Sequence, residues 1–462
     1  MIRALRSAVV AIAAVLASFG AMYVICVRLD VNPSPAILAA ALTVGLMRRP
    51  ERLDSRSLLV KLLALPLVAL AAGLVGFTFR TAPFLGATIF SCVIALSIVL
   101  RGYGERAKVI GRTIALPLMA ILVVPLRIDD SHGGLIPALL MIAAGAIAFA
   151  STTAVWWLAE RAGIEKARQA PRDARTRRAP RAGELPVTTR MALQMLVALG
   201  LAFAIGMLLI PAHWSWMVLT AFIVCSGAVG RGDAIYKGLS RLAGAIGGTL
   251  VAAIVAYAQF PNPGAYAALV FFVLFVGIFL RQINYAYWAA CATLIFALLQ
   301  GWEGTSVGPL LAIRVLCIAI GALCAVAATW FIYPIRTEAV VRRRVADALT
   351  ALREVIAGHP DDPEHPERLA ALDGHAAELR RIAPPVRLHR AVFGAKDSGE
   401  HPATWIDLSH ALLLQARTPG FDRVHVGAEM RRLRAMLQGR GAVCARGGEP
   451  PSMHSSEPND TV

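Results

Sequence analysis

The chain has 462 residues, of which 57% are hydrophobic and only 16% charged, with a mean hydropathy of +0.62. Soluble domains are nearer a quarter charged, so sparse charge with long apolar runs places the chain among membrane proteins. The net charge of +17 invites a nucleic-acid reading, but the arginines stand in short clusters between apolar runs, without the aromatic interleaving of a base-stacking surface. Nucleic acid is therefore excluded as a partner, and the charge is read as holding helix ends on the inner side of a lipid bilayer.

A membrane helix needs about 20 apolar residues. Taken in chain order, the runs 7–26, 35–47, 58–79, 83–100, 109–124 and 135–158 are followed by 191–210, 214–229, 239–258, 265–280, 283–299 and 309–332, which predicts twelve spans. The first run resembles a signal peptide, with Arg3 and Arg6 before an apolar stretch, but its counterpart at 191–210 cannot be one, so it is read as a retained span.

That counterpart belongs to an internal repeat. The run 35–47 with Arg48-Arg49-Pro50 answers 214–229 with Gly230-Arg231-Gly232; Val60-Lys61-Leu62 answers Ser240-Arg241-Leu242; Leu100-Arg101 answers Leu280-Arg281; Gly145 with Trp157 answers Gly321 with Trp330. Six spans per half preserve orientation, so the halves are expected to be parallel repeats. The fold expected is all-α: a polytopic membrane protein of two parallel six-helix transmembrane repeats plus a small cytoplasmic helical C-terminal domain. The domains expected are a first repeat over 1–159, a basic cytoplasmic linker over 160–190, a second repeat over 191–334, a cytoplasmic helical domain over 335–438 and a disordered tail over 439–462.

Loop charge sets the orientation. One side carries Arg3, Arg6, Arg48, Arg49, Arg52, Arg56, Arg101, Arg106, Lys108, Arg231, Lys237 and Arg281, and the other Arg28, Arg80 and Arg127. Positive charge stays inside, which predicts an inner membrane with both termini cytoplasmic. The linker, with Arg172, Arg175, Arg177, Arg178 and Arg181 among prolines, reads as a tether. In the last domain Val341, Val345, Leu349, Leu352 and Ile356 recur at helical spacing, and further helices are expected near 366–382, 402–417 and 424–437.

Seven cysteines are present, six of them inside apolar runs and none in a CxxC pair, so neither disulfide nor metal work is expected. No GxxxxGK[ST] loop occurs, and nothing pairs a nucleophile with a base. No catalytic residue, metal or cofactor is expected.

The candidate functional residues are polar groups in apolar surroundings. The two shortest spans, 35–47 and 214–229, occupy equivalent places in the halves, and paired short spans point to a transporter's binding region. Arg314 lies inside the last span, roughly 9 Å from its outer end, where a charge is costly and turns to the bundle interior or snorkels outward. Its guanidinium fork suits a carboxylate. Arg241 opens the ninth span, as an anchor or as a second substrate contact; Lys61 is its first-half counterpart, and Arg112 opens the fifth span. No Asp or Glu stands within any run. Coupling to protons would then fall to Asp233, or to His213 beside Trp214 and Trp216. Trp216, Tyr285 and Tyr287 suit either the interfacial belt or an aromatic substrate. Gly244 and Gly248 form a GxxxG that allows close helix packing.

The stretch 190–334 resembles the fusaric acid resistance (FUSC) family, which includes aromatic acid exporters. Arg190, Ala192 and Leu199 carry the resemblance, with His213-Trp214-Ser215-Trp216 leading to Leu219-Thr220-Ala221. Arg241-Leu242-Ala243-Gly244, Gly247-Gly248-Thr249, Tyr285-Ala286-Tyr287, Thr293, Arg314-Val315 and Gly321 complete it. The first half matches less well: Lys61 replaces the Arg of Arg241, and Ala138 falls near the place of Arg314. The resemblance implies proton-driven export of aromatic carboxylic acids or related toxic compounds, with Arg314, Arg241, Trp216, Thr220, Tyr285 and Tyr287 toward the substrate and a membrane fusion protein as partner. Self-association stays open. Three other readings are kept: a passive anion channel, a scaffold that recruits a partner through its C-terminal helices, and a major facilitator transporter. The last lacks its expected G-x-x-x-D-R-x-G-R between the second and third spans.

Overall fold

The computed structural model describes residues 2–46, 74–79, 81–104, scattered positions between 107 and 122, 135–164, 185–228, 230–257, 263–281, 283–302, 307–334, 337–359, 362, 364–393, 401–415 and 422–438. Lys61, Arg112, most of the runs 58–79 and 109–124, the linker over 165–184 and the tail over 439–462 lie outside the described residues.

The protein is an all-α polytopic membrane protein. Its apolar helices are α1 (Ile2–Arg28), α2 (Ser34–Leu46), α3 (Pro83–Leu100), α4 (Leu135–Arg161), α5 (Val187–Leu209), α6 (Trp214–Cys225), α7 (Arg231–Tyr257), α8 (Pro263–Leu280), α9 (Tyr285–Trp302) and α10 (Val307–Phe331). Segments of α1, α3, α4, α5, α7 and α10 are long and apolar enough to cross a membrane, and α2, α6, α8 and α9 hold shorter apolar helices. Leu208, Leu209, Ile254, Leu323 and Phe331 stay exposed on their outer faces, as side chains do where the solvent is hydrocarbon. Residues 1–335 and 336–462 form two separately packed units.

Within the first unit, α1, α2 and α4 pack on one another pairwise, around Met22, Cys26, Leu38, Leu42 and Ala144. The same arrangement recurs with α5, α6 and α10, around Leu199, Met217, Val218 and Cys317. The two triads are tied by reciprocal contacts: α3 packs on α5, and α8 packs on α1. Phe79, Phe90, Phe203 and Trp214 make the first tie, with Phe203 and Trp214 centroids 5.3 Å apart. Phe19 against Phe271, edge to face at 5.1 Å, makes the second.

Helix α7 packs closely on α9 because Gly244 and Gly248 let the backbones touch. A Cβ at Gly244 would overlap the Ala286 carbonyl and lie 2.6 Å from the Ala289 Cβ, and one at Gly248 would overlap the Ala290 carbonyl and lie 2.9 Å from the Thr293 Cβ. In lipid, where burying apolar surface gives no advantage between helices, such contact is what holds them together.

At 12 residues, α6 is about 18 Å long, well short of the roughly 30 Å hydrocarbon layer. It ends at Cys225, four residues before the end of the apolar run, because Ser226 leaves the helix with ψ 112. Protein groups satisfy the freed backbone, as lipid demands: Ser226 N–H donates to the Phe222 carbonyl at 2.8 Å, and Lys237 Nζ donates to the Ser226 carbonyl at 3.2 Å. The C-terminal end of α10 is capped from two other helices. Gln194 Nε2 donates to the Ile332 carbonyl at 2.9 Å, and Arg231 Nη2 to the Trp330 carbonyl at 3.1 Å.

The second unit holds α11 (Thr337–Ala357), α12 (His365–Phe393), α13 (Pro402–Gln415) and α14 (Arg423–Leu437). Val341, Val345, Leu349 and Leu352 are buried along α11 at the predicted spacing, against Leu372, Leu379, Trp405, Ile406, Leu412 and Leu433. The Asp422 carboxylate caps α14, accepting from Val424 N–H at 2.8 Å and His425 N–H at 3.1 Å. The helix expected over 366–382 runs on through Pro384 and Pro385. A proline inside a helix costs about 3 kcal/mol, but Leu379, Ala383 and Val386 continue the buried face past the break.

Candidate functional site

The second triad encloses a cation. Helix α10 begins at Val307, so Arg314 lies about 10.5 Å along it at helical rise, and only 3% of the residue is exposed. Its guanidinium carbon sits over the Trp216 ring, 3.9 Å from the centroid, and 4.9 Å from that of Phe296 on α9. Trp216 and Phe296 themselves meet edge to face at 5.0 Å. Placing an arginine in a membrane core costs about 2.5–3.5 kcal/mol on insertion scales, and a desolvated cation–π contact returns about 2 kcal/mol. The two rings therefore roughly offset the burial of the charge. They do not satisfy its hydrogen bonds: Nε and Nη1 of Arg314 are both buried without a partner.

A second arginine follows. Arg241 on α7 is 5% exposed and Thr220 on α6 fully buried; Arg241 Nε donates to Thr220 Oγ1 at a long 3.4 Å. Trp216 and Thr220 are four residues apart on α6, so they share one face about 6 Å apart along the axis, and Arg241 lies within electrostatic range of Arg314. Among the described residues no Asp or Glu forms an ion pair with either arginine. The site is thus two like charges, with two unpartnered donors, Nε and Nη1, on Arg314. Such an arrangement is completed by an anion.

The structure brings together four of the residues singled out from sequence, Arg314, Arg241, Trp216 and Thr220, and leaves four elsewhere. Tyr285 and Tyr287 open α9, 11 and 9 residues before Phe296, which is roughly 13–17 Å along the axis. Two residues apart on a helix they cannot share a face: Tyr285 buries its hydroxyl without a partner, while Tyr287 is 50% exposed. Asp233 is in the first turn of α7, paired with Lys237 at 3.0 Å, eight residues and about 12 Å from Arg241. His213 occupies the position before α6, half-buried, with no side-chain hydrogen bond to the helix end. Phe296 was not anticipated. The signal was present in the α9 face that carries Ala289, Thr293 and Phe296 at helical spacing, the first two buried.

Gly321 sets the distance between α10 and α6. A Cβ there would overlap the Met217 carbonyl oxygen and lie 3.0 Å from its carbonyl carbon, so the backbones touch one residue beyond Trp216. That contact fixes the depth at which Arg314 meets the ring.

Residues 198–328 match the family model described as fusaric acid resistance protein-like. No curated protein and no solved structure matches the chain. The match lies inside the stretch whose motifs carry the resemblance, and it spans Trp216, Thr220, Arg241, Phe296 and Arg314 together. The buried arginine pair is thus the interior of a fusaric acid resistance protein-like segment within a multi-pass membrane protein, and the class indicated is a membrane transporter.

Proposed function

We propose that this protein exports small organic anions, aromatic acids among them, from the cytoplasm across an inner membrane, coupled to protons, with both termini cytoplasmic. One observation carries the reading: Arg314 is buried among apolar helices with two N–H groups unpaired. An unpaired buried donor costs about 1–3 kcal/mol, and more when charged, a cost that a transported anion removes each time it occupies the site. Arg241 and Thr220 continue the path along α6. The bias of basic loop residues supports the orientation. His213 stands before α6 and Asp233 in the first turn of α7, and these two titratable groups are the candidates for coupling. A membrane fusion protein is the partner that would carry the anion onward, and a second copy of the chain is a further one.

The test is counterflow of labelled benzoate in proteoliposomes of the full chain, with and without a pH gradient. A carrier shows trans-stimulation, and a proton-coupled one accumulates benzoate when the gradient is imposed. A passive anion channel, which the same arginines would also suit, shows neither. Arg314→Ala is expected to reduce benzoate counterflow at least about hundredfold, the loss of charge-assisted hydrogen bonds of roughly 3 kcal/mol, at unchanged membrane level. Counterflow by the Ala variant at the wild-type level would remove Arg314 from the mechanism.

A further inference from the structure

Helix α7 carries Asp233, Lys237 and Arg241 at four-residue steps, which stacks them along one face. Asp233 pairs with Lys237 at 3.0 Å, and Lys237 also donates to the Ser226 carbonyl at 3.2 Å. The acid and the lysine thus answer each other, about 12 Å and 6 Å short of Arg241 along the axis. Arg241 itself is 5% exposed and Arg314 of α10 is 3% exposed.

The two arginines meet α6 on neighbouring turns. Arg241 Nε lies 3.4 Å from Thr220 Oγ1, and the Arg314 guanidinium carbon lies 3.9 Å from the Trp216 ring centroid. Those α6 positions are one turn, about 6 Å, apart along the axis, and the two cations lie within electrostatic range of each other. Thr220 offers a neutral hydroxyl, and Trp216 and Phe296 offer rings, so none of these contacts brings a negative charge. Among the described residues, neither arginine has a carboxylate partner.

The count of charges then decides what fits. Burying an unneutralised charge is costly in a low dielectric, and two like charges add to that cost. A guest with one carboxylate compensates one cation and leaves the other as it was. A guest with two compensates both. Lys237 is not the second cation, because Asp233 already holds it.

We infer that Arg241 and Arg314 act together on a single guest, so that small dicarboxylates are the substrates bound best and monocarboxylates are bound more weakly. One carboxylate sits at the level of Trp216 and the other at the level of Thr220. A short carbon chain or one ring between them spans about one helical turn. Arg241 is the specificity-determining residue, since it reads the second charge. This rests on the anion-export reading above and narrows it.

The experiment uses the purified full-length protein at about pH 8, where carboxyl groups are ionised. The probes are succinate against its monomethyl ester, and isophthalate against its monomethyl ester. Each pair shares a skeleton and differs by one charge. Calorimetric titration is expected to give each dianion a dissociation constant at least about tenfold lower than that of its monoester, a difference of about 1.4 kcal/mol. Arg241→Gln is expected to weaken each dianion about tenfold more than its monoester, which collapses the preference, and Arg241→Lys to restore most of it. A purely structural role for Arg241 would weaken both members of a pair alike, so the ratio within a pair separates the two. Equal affinities within each pair for the wild type, or Arg241→Gln lowering both members by the same factor, overturns the inference. So does a failure of both dianions to bind a protein that shows benzoate counterflow, and in each of these cases that counterflow leaves anion export standing. If no probe binds and benzoate shows no counterflow, the export reading itself fails and this inference falls with it.

Discussion

The two triads bury polar groups in opposite ways. Among the described residues of α1, α2 and α4 the fully buried polar side chains are Ser18 and Thr43. Ser18 donates to the Val15 carbonyl at 3.0 Å, and Thr43 Oγ1 lies 2.8 Å from the Ala39 carbonyl and 2.9 Å from Ser18 Oγ. Each hydroxyl proton has a home, and nothing is left to offer a ligand. In α5, α6 and α10, where Gln194, Thr220 and Thr329 are also buried, Arg314 is a buried cation packed against two rings with its Nε and Nη1 unpartnered. The same helix arrangement is thus closed on itself in one place and chemically incomplete in the other. In lipid, a fully paired polar contact works as glue between helices, whereas an unpaired charge marks a route for something else.

Three variants bear on this contrast. The largest effect belongs to the α6–α10 contact. Gly321→Leu places a side chain where the Met217 backbone already is. Overpacking against a yielding neighbour costs about 1–3 kcal/mol, and backbone does not yield as a side chain does. The thermal midpoint of the purified protein is expected to fall by several degrees with benzoate binding lost, and an unchanged midpoint would show that the triad is looser than drawn. Next is Thr220→Val, which removes the hydroxyl beside Arg241 at the same volume. A hydrogen bond of about 0.5–1.5 kcal/mol predicts a two- to tenfold weaker benzoate dissociation constant with little change in thermal midpoint. Smallest is the double change Ser18→Ala with Thr43→Val. Replacing both partners of a buried pair by apolar groups is nearly neutral, so benzoate binding is expected to stay within about twofold. Weakening as large as that of Thr220→Val would erase the distinction between the triads.

Much of this was readable from the chain, and for definite reasons. Apolar runs report helices in lipid directly, so α2 and α6 stand at the two short runs. A charge in such a run is conspicuous, which is why Arg314 and Arg241 were singled out. The helical spacing from Val341 to Leu352 marks a buried face because the second unit has a polar outside to contrast with it. Partner choice among the membrane helices was not readable, since a helix apolar all round carries no stripe to say which face meets which neighbour. That is why the contacts of α3 with α5, and Phe296 as the second ring on Arg314, come only from the structure. Tyr285 and Tyr287 were grouped by proximity in sequence, although a two-residue step turns them to different sides of α9. The continuation of α12 past Pro384 was hidden by the strength of the local signal against it, which tertiary burial overrode.

The reciprocal ties between the triads also set a timetable for synthesis. Helix α1 finds Phe271 of α8 only after about 250 further residues have left the ribosome, which at about 5–20 residues per second is a wait of roughly 12–50 s. Throughout that interval Phe19 and its neighbours face lipid or the insertion machinery instead of their final partner. Polypeptides truncated before α8 are therefore left with an unmatched surface on α1.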